Sequence, residues 1–284
     1  MPELPEVETI ARTLRPVLLN QTILRADLRW ARTLARPAPA DFVRQIAGQV
    51  IRAASRRGKY LLLQLSDFVL IFHLRMSGDL FVVTGPYEPA IHDRLVLTLL
   101  GESFLVFRDP RKFGRVWLTA DPGSVLAKLG PEPLSEAFTP SWLFLALRER
   151  HRQLKPLLLD QTFLAGLGNI YTDEALHRAG LHPLRLSDTL SEAEALALWQ
   201  SIRDVLEEGI RRNGASIDWV YRGGGFQNHF RVYRRTGQPC FVCGTPVERL
   251  LVGQRSSHVC PRCQPLSPVT GDRPWAAPKP RSRC

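Results

Sequence analysis

The hydrophobic period changes once along this chain, and that change limits the fold more than any other feature. Between residues 22 and 118 the segments QVIRAASRRGKYLLLQL, FVLIFHLRMSG, DLFVVTG, DRLVLTLLG, ESFLVFRD and FGRVWLT read as strands, many bounded by Gly, Pro or Asp. Strands that follow one another without intervening helices imply an antiparallel sandwich or barrel. After residue 139 the pattern turns helical, in SWLFLALRERHRQ, KPLLLDQ, NIYTDEALHRAG and SEAEALALWQSIRDVLEEGIRRNG. Ser191 opens the last of these as a cap and Gly214 closes it. Residues 129–138, LGPEPLSEAF, hold two prolines and keep neither period, so they read as a linker. One more helix is expected at the start: residues 5–19 set Val7, Ile10, Leu14, Val17 and Leu18 at helical spacing, with Pro5 in the first turn.

A chain of 284 residues that is 44% hydrophobic and 23% charged can bury a sizeable core, which excludes a wholly disordered protein. Its net charge of +11 favours a polyanionic partner, because clustered Lys and Arg release counterions from a phosphate backbone. Charge alone leaves nucleic acid, acidic lipid and simple solubility open. No run reaches the roughly 18 uncharged apolar residues of a membrane span, and MPELPEVETI lacks the basic and apolar regions of a signal peptide. The expectation is a cytoplasmic protein with no membrane partner.

Cys240 and Cys243, then sixteen residues, then Cys260 and Cys263 repeat the spacing at which two CxxC pairs wrap one tetrahedral zinc ion. Two disulfides fit less well in a cytosolic chain with a fifth cysteine, Cys284. Four thiolates leave no open coordination position, so the expected Zn2+ is structural and stiffens a β-hairpin. Between the pairs lies GQRSSHV, where Arg255 is either a solvated charge or a cation held out rigidly toward a nucleic acid. SIDWVYRGGGFQNHFRVYRRTGQP, ahead of the cysteines, reads as a mobile loop. Residues 265–284, with five prolines and three arginines, are expected to be a disordered tail.

PELPEVE at the start, GLGNIYTDEAL mid-chain and the CxxC pairs ending in CPRCQ together resemble the formamidopyrimidine-DNA glycosylase family, related to the endonuclease VIII-like enzymes. The resemblance spans residues 2–264. It implies an α+β multidomain fold. An antiparallel β-sandwich with an N-terminal helix (1–130) is followed by a linker (131–138) and a helical helix-two-turns-helix domain with a lesion-recognition loop (139–237). A β-hairpin zinc finger (238–264) and the tail (265–284) complete it. The implied activity is that of a bifunctional DNA glycosylase and AP lyase excising oxidised purines, chiefly 8-oxoguanine and formamidopyrimidines. PELPE, with Leu4, favours this over the oxidised-pyrimidine enzymes, which resemble PEGPE. The implied partner is double-stranded DNA with damaged bases or abasic sites, bound by a monomer at the nucleoid of a prokaryotic-type cell.

The chemistry gives each matching residue a reason. Removing Met1 would expose a secondary amine on Pro2, and an amine that attacks C1′ displaces the base and leaves an iminium that acidifies the C2′ hydrogen. Glu3 is implied as the proton donor and Glu6 as its support; on local sequence alone both are acids at a helix start. Lys59 is implied beside the nucleophile, helping proton transfer, and Arg255 at the second phosphate departure that completes β,δ-elimination. An extruded base leaves a hole, which Met76 and Phe113 are implied to fill while Arg111 bonds the orphaned partner. His73, His92 and Asn169 are implied phosphate contacts, with Gly166 and Gly168 allowing close approach. The basic run Arg148, Arg150, Arg152 and Lys155 adds to the track or forms an exposed helix face. Arg75 stands where the family's HLGM has glycine and Lys112 where DPRRFG has its second arginine. RGGGFQNHF is shorter and richer in glycine than the family's loop. A non-catalytic zinc-containing DNA binder and a ribosome- or RNA-associated basic protein are the competing classes.

Overall fold

The computed structural model describes residues 2–216 and 223–266. Met1, Cys284, the middle of the expected mobile loop and nearly all of the expected tail lie outside the described residues. Helix α1 (Leu4–Leu18) begins with Pro5 in its first turn and buries Val7, Ile10, Leu14 and Leu18, while Val17 turns out to solvent. Nine strands follow: β1 (Ile23–Leu28), β2 (Leu34–Arg36), β3 (Ala53–Arg57), β4 (Tyr60–Gln64), β5 (Val69–His73), β6 (Asp79–Thr84), β7 (Asp93–Leu99), β8 (Ser103–Arg108) and β9 (Arg115–Thr119). They form a four-stranded sheet in the order β1-β7-β8-β6 and a five-stranded sheet in the order β2-β9-β5-β4-β3. Every neighbouring pair runs antiparallel except β2 with β9, which is parallel.

Leu61, Leu63, Leu70, Phe72 and Val116 from one sheet meet Leu95, Leu97, Leu105 and Phe107 from the other, and the α1 stripe seals the edge of this core. Phe72 and Phe107 touch across it with ring centroids 5.6 Å apart. A short helix, α2 (Pro39–Ile46), interrupts the strands and buries Phe42 and Ile46; its single apolar face is too brief to have registered as a helix in the sequence.

After the small α3 (Gly123–Leu126) come α4 (Pro140–Arg148), α5 (Leu154–Leu159), α6 (Asn169–Arg178) and α7 (Glu192–Arg211), which build a second core. Ser191 caps α7 as expected, its hydroxyl accepting from the Glu194 amide at 3.3 Å. The linker segment is bolted down: Glu132 takes ion pairs from Arg56 and Arg57 and the amide of Gly58. Strands β10 (Glu248–Val252) and β11 (Arg255–Val259) form a terminal hairpin. Its two-residue turn has Gly253 at φ +53° and Gln254 at φ +62°, the mirror-image geometry that matches strand twist. Leu4 belongs to the helical core although the rest of α1 packs on the sheets, so the chain start is shared between the two halves. Among the described residues no helix is long and apolar enough to cross a membrane.

Candidate active site

The segment 2–6 is buried against the N-terminus of α6. Glu3, 2% exposed, accepts from the amides of Ile170 at 3.0 Å and Tyr171 at 3.4 Å. Those amides are unpaired donors at the positive end of a helix, so they suit a carboxylate. Glycine makes the approach possible: a Cβ on Gly168 would stand 2.2 Å from Glu3 Cδ, and one on Gly166 would stand 2.5 Å from Leu4 Cδ1. Glu6 is equally buried and accepts from the Glu3 amide, the Tyr171 hydroxyl and the Ala215 amide, each at 2.7 Å. Burial pushes the Glu3 carboxyl above the usual range, against the pull of the Lys59 ammonium and the α6 amides. Burial also raises Glu6, with Glu3 adding to the effect.

Lys59 sits in the β3–β4 turn, packed against the same α6 approach, because a Cβ on Gly58 would meet Ala165 Cβ at 3.2 Å. Burial lowers its pKa, Glu3 and Glu6 oppose that, and Arg255 adds to the lowering. Arg255 therefore lies within electrostatic reach of Lys59, and the chain start, a sheet turn and the terminal hairpin converge. An acid raised and an amine lowered at one place are closer in proton affinity than the same pair would be in water, which favours proton exchange between them.

Helix α6 joins these parts. Asp173 takes the Lys155 ammonium at 2.6 Å, the Ser257 hydroxyl at 3.0 Å and the His258 amide at 2.9 Å. Glu174 accepts from the amides of Arg231, Val232 and Tyr233. Nε2 of His177 lies 3.5 Å from Cys240 Sγ. The four cysteine sulfurs lie within 4.8 Å of one another, with Cys240 and Cys263 3.9 Å apart and Cys243 and Cys260 3.4 Å apart. Bonded sulfurs stand about 2.05 Å apart, whereas ligands at about 2.3 Å from a tetrahedral zinc are separated by about 3.8 Å. Backbone amides of Val242 and Cys263 point at two of the sulfurs and favour thiolates. The donor set fits one structural zinc ion.

The implied wedge residues occupy two loops held by one carboxylate. Asp109 is fully buried and accepts from the Ser77 hydroxyl, the Arg111 amide and the Gly114 amide. That leaves Met76 41% and Phe113 50% exposed on neighbouring loops, with the Arg111 guanidinium 5.1 Å over the Phe113 ring. His73 is buried at the end of β5 and titrates near about 3, through burial and then the charges of Arg75 and Lys59. Its Nδ1 accepts from the Arg75 amide at 3.0 Å, so Nε2 carries the proton and can only donate. His92 is exposed, its Nδ1 3.3 Å from Arg94.

Three family models match: the formamidopyrimidine-DNA glycosylase N-terminal domain over residues 1–116, the H2TH domain of the same enzymes over 129–220, and the zinc finger found in FPG and IleRS over 237–266. A formamidopyrimidine-DNA glycosylase of Pelotomaculum thermopropionicum is 45% identical over 273 residues, which is 93% of this chain and 99% of the relative. One from Chloroflexus aggregans is 47% identical over 94% of this chain and 99% of its own length. The chain belongs to the formamidopyrimidine-DNA glycosylase family. Among solved members, the Lactococcus lactis enzyme bound to DNA containing N7-benzyl-Fapy-dG is 37% identical with a TM-score of 0.88, covering 93% of this chain and all of that one. MutM bound to DNA containing carbocyclic 8-oxo-G is 36% identical with a TM-score of 0.87, over the same shares.

One residue of the expected basic run is buried, and two other expected contact residues also bond within the fold. Lys155 is no part of an exposed basic track: it is fully buried, held by Asp173 and the Ser256 carbonyl. Arg150 folds back onto the Ala146 carbonyl at 2.8 Å and over the Phe163 ring at 5.1 Å. Asn169 gives its amide to the Ser256 carbonyl at 2.9 Å and so braces the hairpin. The two departures in the loops both fall in left-handed backbone, Arg75 at φ +54° and Lys112 at φ +61°, which costs a side-chain-bearing residue about 1 kcal/mol or more. Lys112 sets its ammonium 4.1 Å over the Trp30 ring. Asp109, Asp173, Glu174 and Tyr171 were not singled out from the sequence. Nothing local marks them: Asp173 and Glu174 lie on what reads as the polar face of a surface helix.

Proposed function

We propose that this chain, a DNA glycosylase of base excision repair, excises oxidised purines from double-stranded DNA and then cleaves the strand by β,δ-elimination. The reading starts with Pro2 freed from Met1. Its ring nitrogen attacks C1′, the C1′–N bond to the base breaks, and Glu3 gives a proton to the ring oxygen or the departing base. The C1′–O4′ bond then breaks, its electron pair staying on the protonated ring oxygen, and the resulting iminium acidifies C2′; loss of that proton breaks the C3′–O bond, whose electron pair leaves with the phosphate. Lys59, whose pKa is lowered by burial, is suited to carry the proton. Met76, Arg111 and Phe113 fill the vacated stack, and 8-oxoguanine and formamidopyrimidines are the expected lesions. His73, His92, Arg150 and Asn169 are read as supports for the phosphate track. Action as a monomer at the nucleoid belongs to this reading, and the bacterial relatives support the prokaryotic setting.

The observation that carries this reading is a buried carboxyl, Glu3, raised toward neutrality directly beside Pro2 and opposite a lowered Lys59. Solved relatives bound to N7-benzyl-Fapy-dG DNA and to abasic-site DNA support the partner. Borohydride reduction of zinc-loaded, Met1-processed protein with an abasic duplex is expected to trap a covalent adduct. Tight binding without an adduct would support the non-catalytic DNA binder instead.

A further inference from the structure

Arg255 is exposed at the first position of β11, so its aim depends on how that strand is held. One side chain supplies the largest share of the hold. Asp173, 1% exposed, uses one carboxylate oxygen for the Ser257 hydroxyl and Lys155, and the other for the amide and Nδ1 of His258 at 2.9 and 3.1 Å. Ser257 lies two residues beyond Arg255 and therefore on the same face of the strand. Between them, the Ser256 carbonyl accepts from both Lys155 at 2.7 Å and Asn169 at 2.9 Å. At the turn, Gly253 packs on Pro156, where a Cβ would stand 3.1 Å away. The hairpin is thus bolted to the same helix whose first amides hold Glu3. Beside the Ser256 carbonyl, the strand is anchored through Ser257 and His258, and both terminate on Asp173, which also holds Lys155.

We infer that Asp173 is a positioning residue that aims Arg255 and thereby governs whether strand cleavage proceeds past its first elimination. This rests on the elimination reading above. In the second step the C4′ proton is lost, the C5′–O bond breaks, and its electron pair leaves with the second phosphate, whose charge a guanidinium can meet only if it is in place. The first step does not need that cation. Misplacing Arg255 therefore changes the ratio of δ to β product, where general destabilisation would leave the ratio alone.

The test uses the full chain with zinc and a duplex holding a preformed abasic site. Asp173→Asn, retaining one zinc per chain, is expected to lower the δ:β product ratio about tenfold or more, the scale of a misplaced catalytic group. In an Arg255→Ala background the same substitution is expected to change the ratio no further, since the group it positions is gone. An unchanged ratio in Asp173→Asn, or a full additive drop on top of Arg255→Ala, overturns the assignment. If Asp173→Asn loses its zinc, Ser257→Ala takes its place, with a smaller drop expected and no drop overturning it. A wild-type protein that stops at the β product overturns the elimination reading itself, which distinguishes the two failures.

Discussion

Gly168→Ala tests the seating of Glu3 without touching any charged group. Gly168 has φ −128° and ψ −160°, extended backbone that alanine adopts freely, so only space forbids a side chain there. The added Cβ would stand 2.2 Å from Glu3 Cδ and 2.4 Å from its Oε1, inside any tolerable contact. The carboxylate must leave the Ile170 and Tyr171 amides, now 3.0 and 3.4 Å away. A hydrogen bond to a charged group contributes about 1.5–3 kcal/mol and the longer one less, while crowding a packed site costs about 1–3 kcal/mol. The expected loss is about 3 kcal/mol, or roughly 6–12 °C in melting temperature. Displacing the acid should slow base excision about a hundredfold. Calorimetry on zinc-saturated protein and single-turnover kinetics on a lesion duplex read the two effects. An alanine variant that melts within about 1 °C of wild type and excises at the same rate would refute the close approach.

Glu3→Gln is expected to slow base excision by about 10²–10⁴. In the wild type a raised Glu3 donates only below its pKa and a lowered Lys59 accepts only above its own, so the rate should fall at both ends of the pH range, and the glutamine variant should lose the alkaline limb. His73 titrates near about 3 in the fold against 6.5 ordinarily, so the stability it contributes is full above pH 6.5 and drains as pH falls toward 3. By pH 5 the loss reaches about 2 kcal/mol, and urea unfolding of His73→Gln should lack that component. Cys260→Ser should bind less than one zinc per chain by atomic absorption and weaken DNA binding, whereas Arg255→Ala should keep its metal and lose late elimination. Loss of zinc in Arg255→Ala would contradict the separation of roles.

Local pattern reached the parts of this molecule that local physics builds. The α1 stripe, the β4–β9 strands, the Ser191 cap and the CxxC spacing depend on neighbours within a few residues, and each stands where periodicity or motif put it. The anchors depend on partners far along the chain and leave no such trace. Glu3 meets Ile170, Glu6 meets Ala215, Asp173 meets His258, and Glu132 inside the expected linker clamps Arg56. Asp173 and Glu174 look like an ordinary acidic helix surface until the 231–233 segment and the hairpin cover them. Lys155 misled for the same reason: its charge suggested solvent, and its burial is paid by an aspartate eighteen residues away. The parallel β2–β9 pair was also hidden, because a three-residue strand carries no period of its own.

Leu4 lies in the core made by α4 to α7, and the glycines that admit Glu3 come more than 160 residues later. A ribosome delivers Glu3 first and the residues that seat it last. Until residue 215 has emerged Glu6 has no Ala215 amide, and until residue 226 has emerged Tyr171 has no Phe226 ring to stack on. Prematurely terminated or clipped polypeptides of this kind should therefore lack the seat that holds Glu3 and, on the proposed reading, excise bases far more slowly than the full chain.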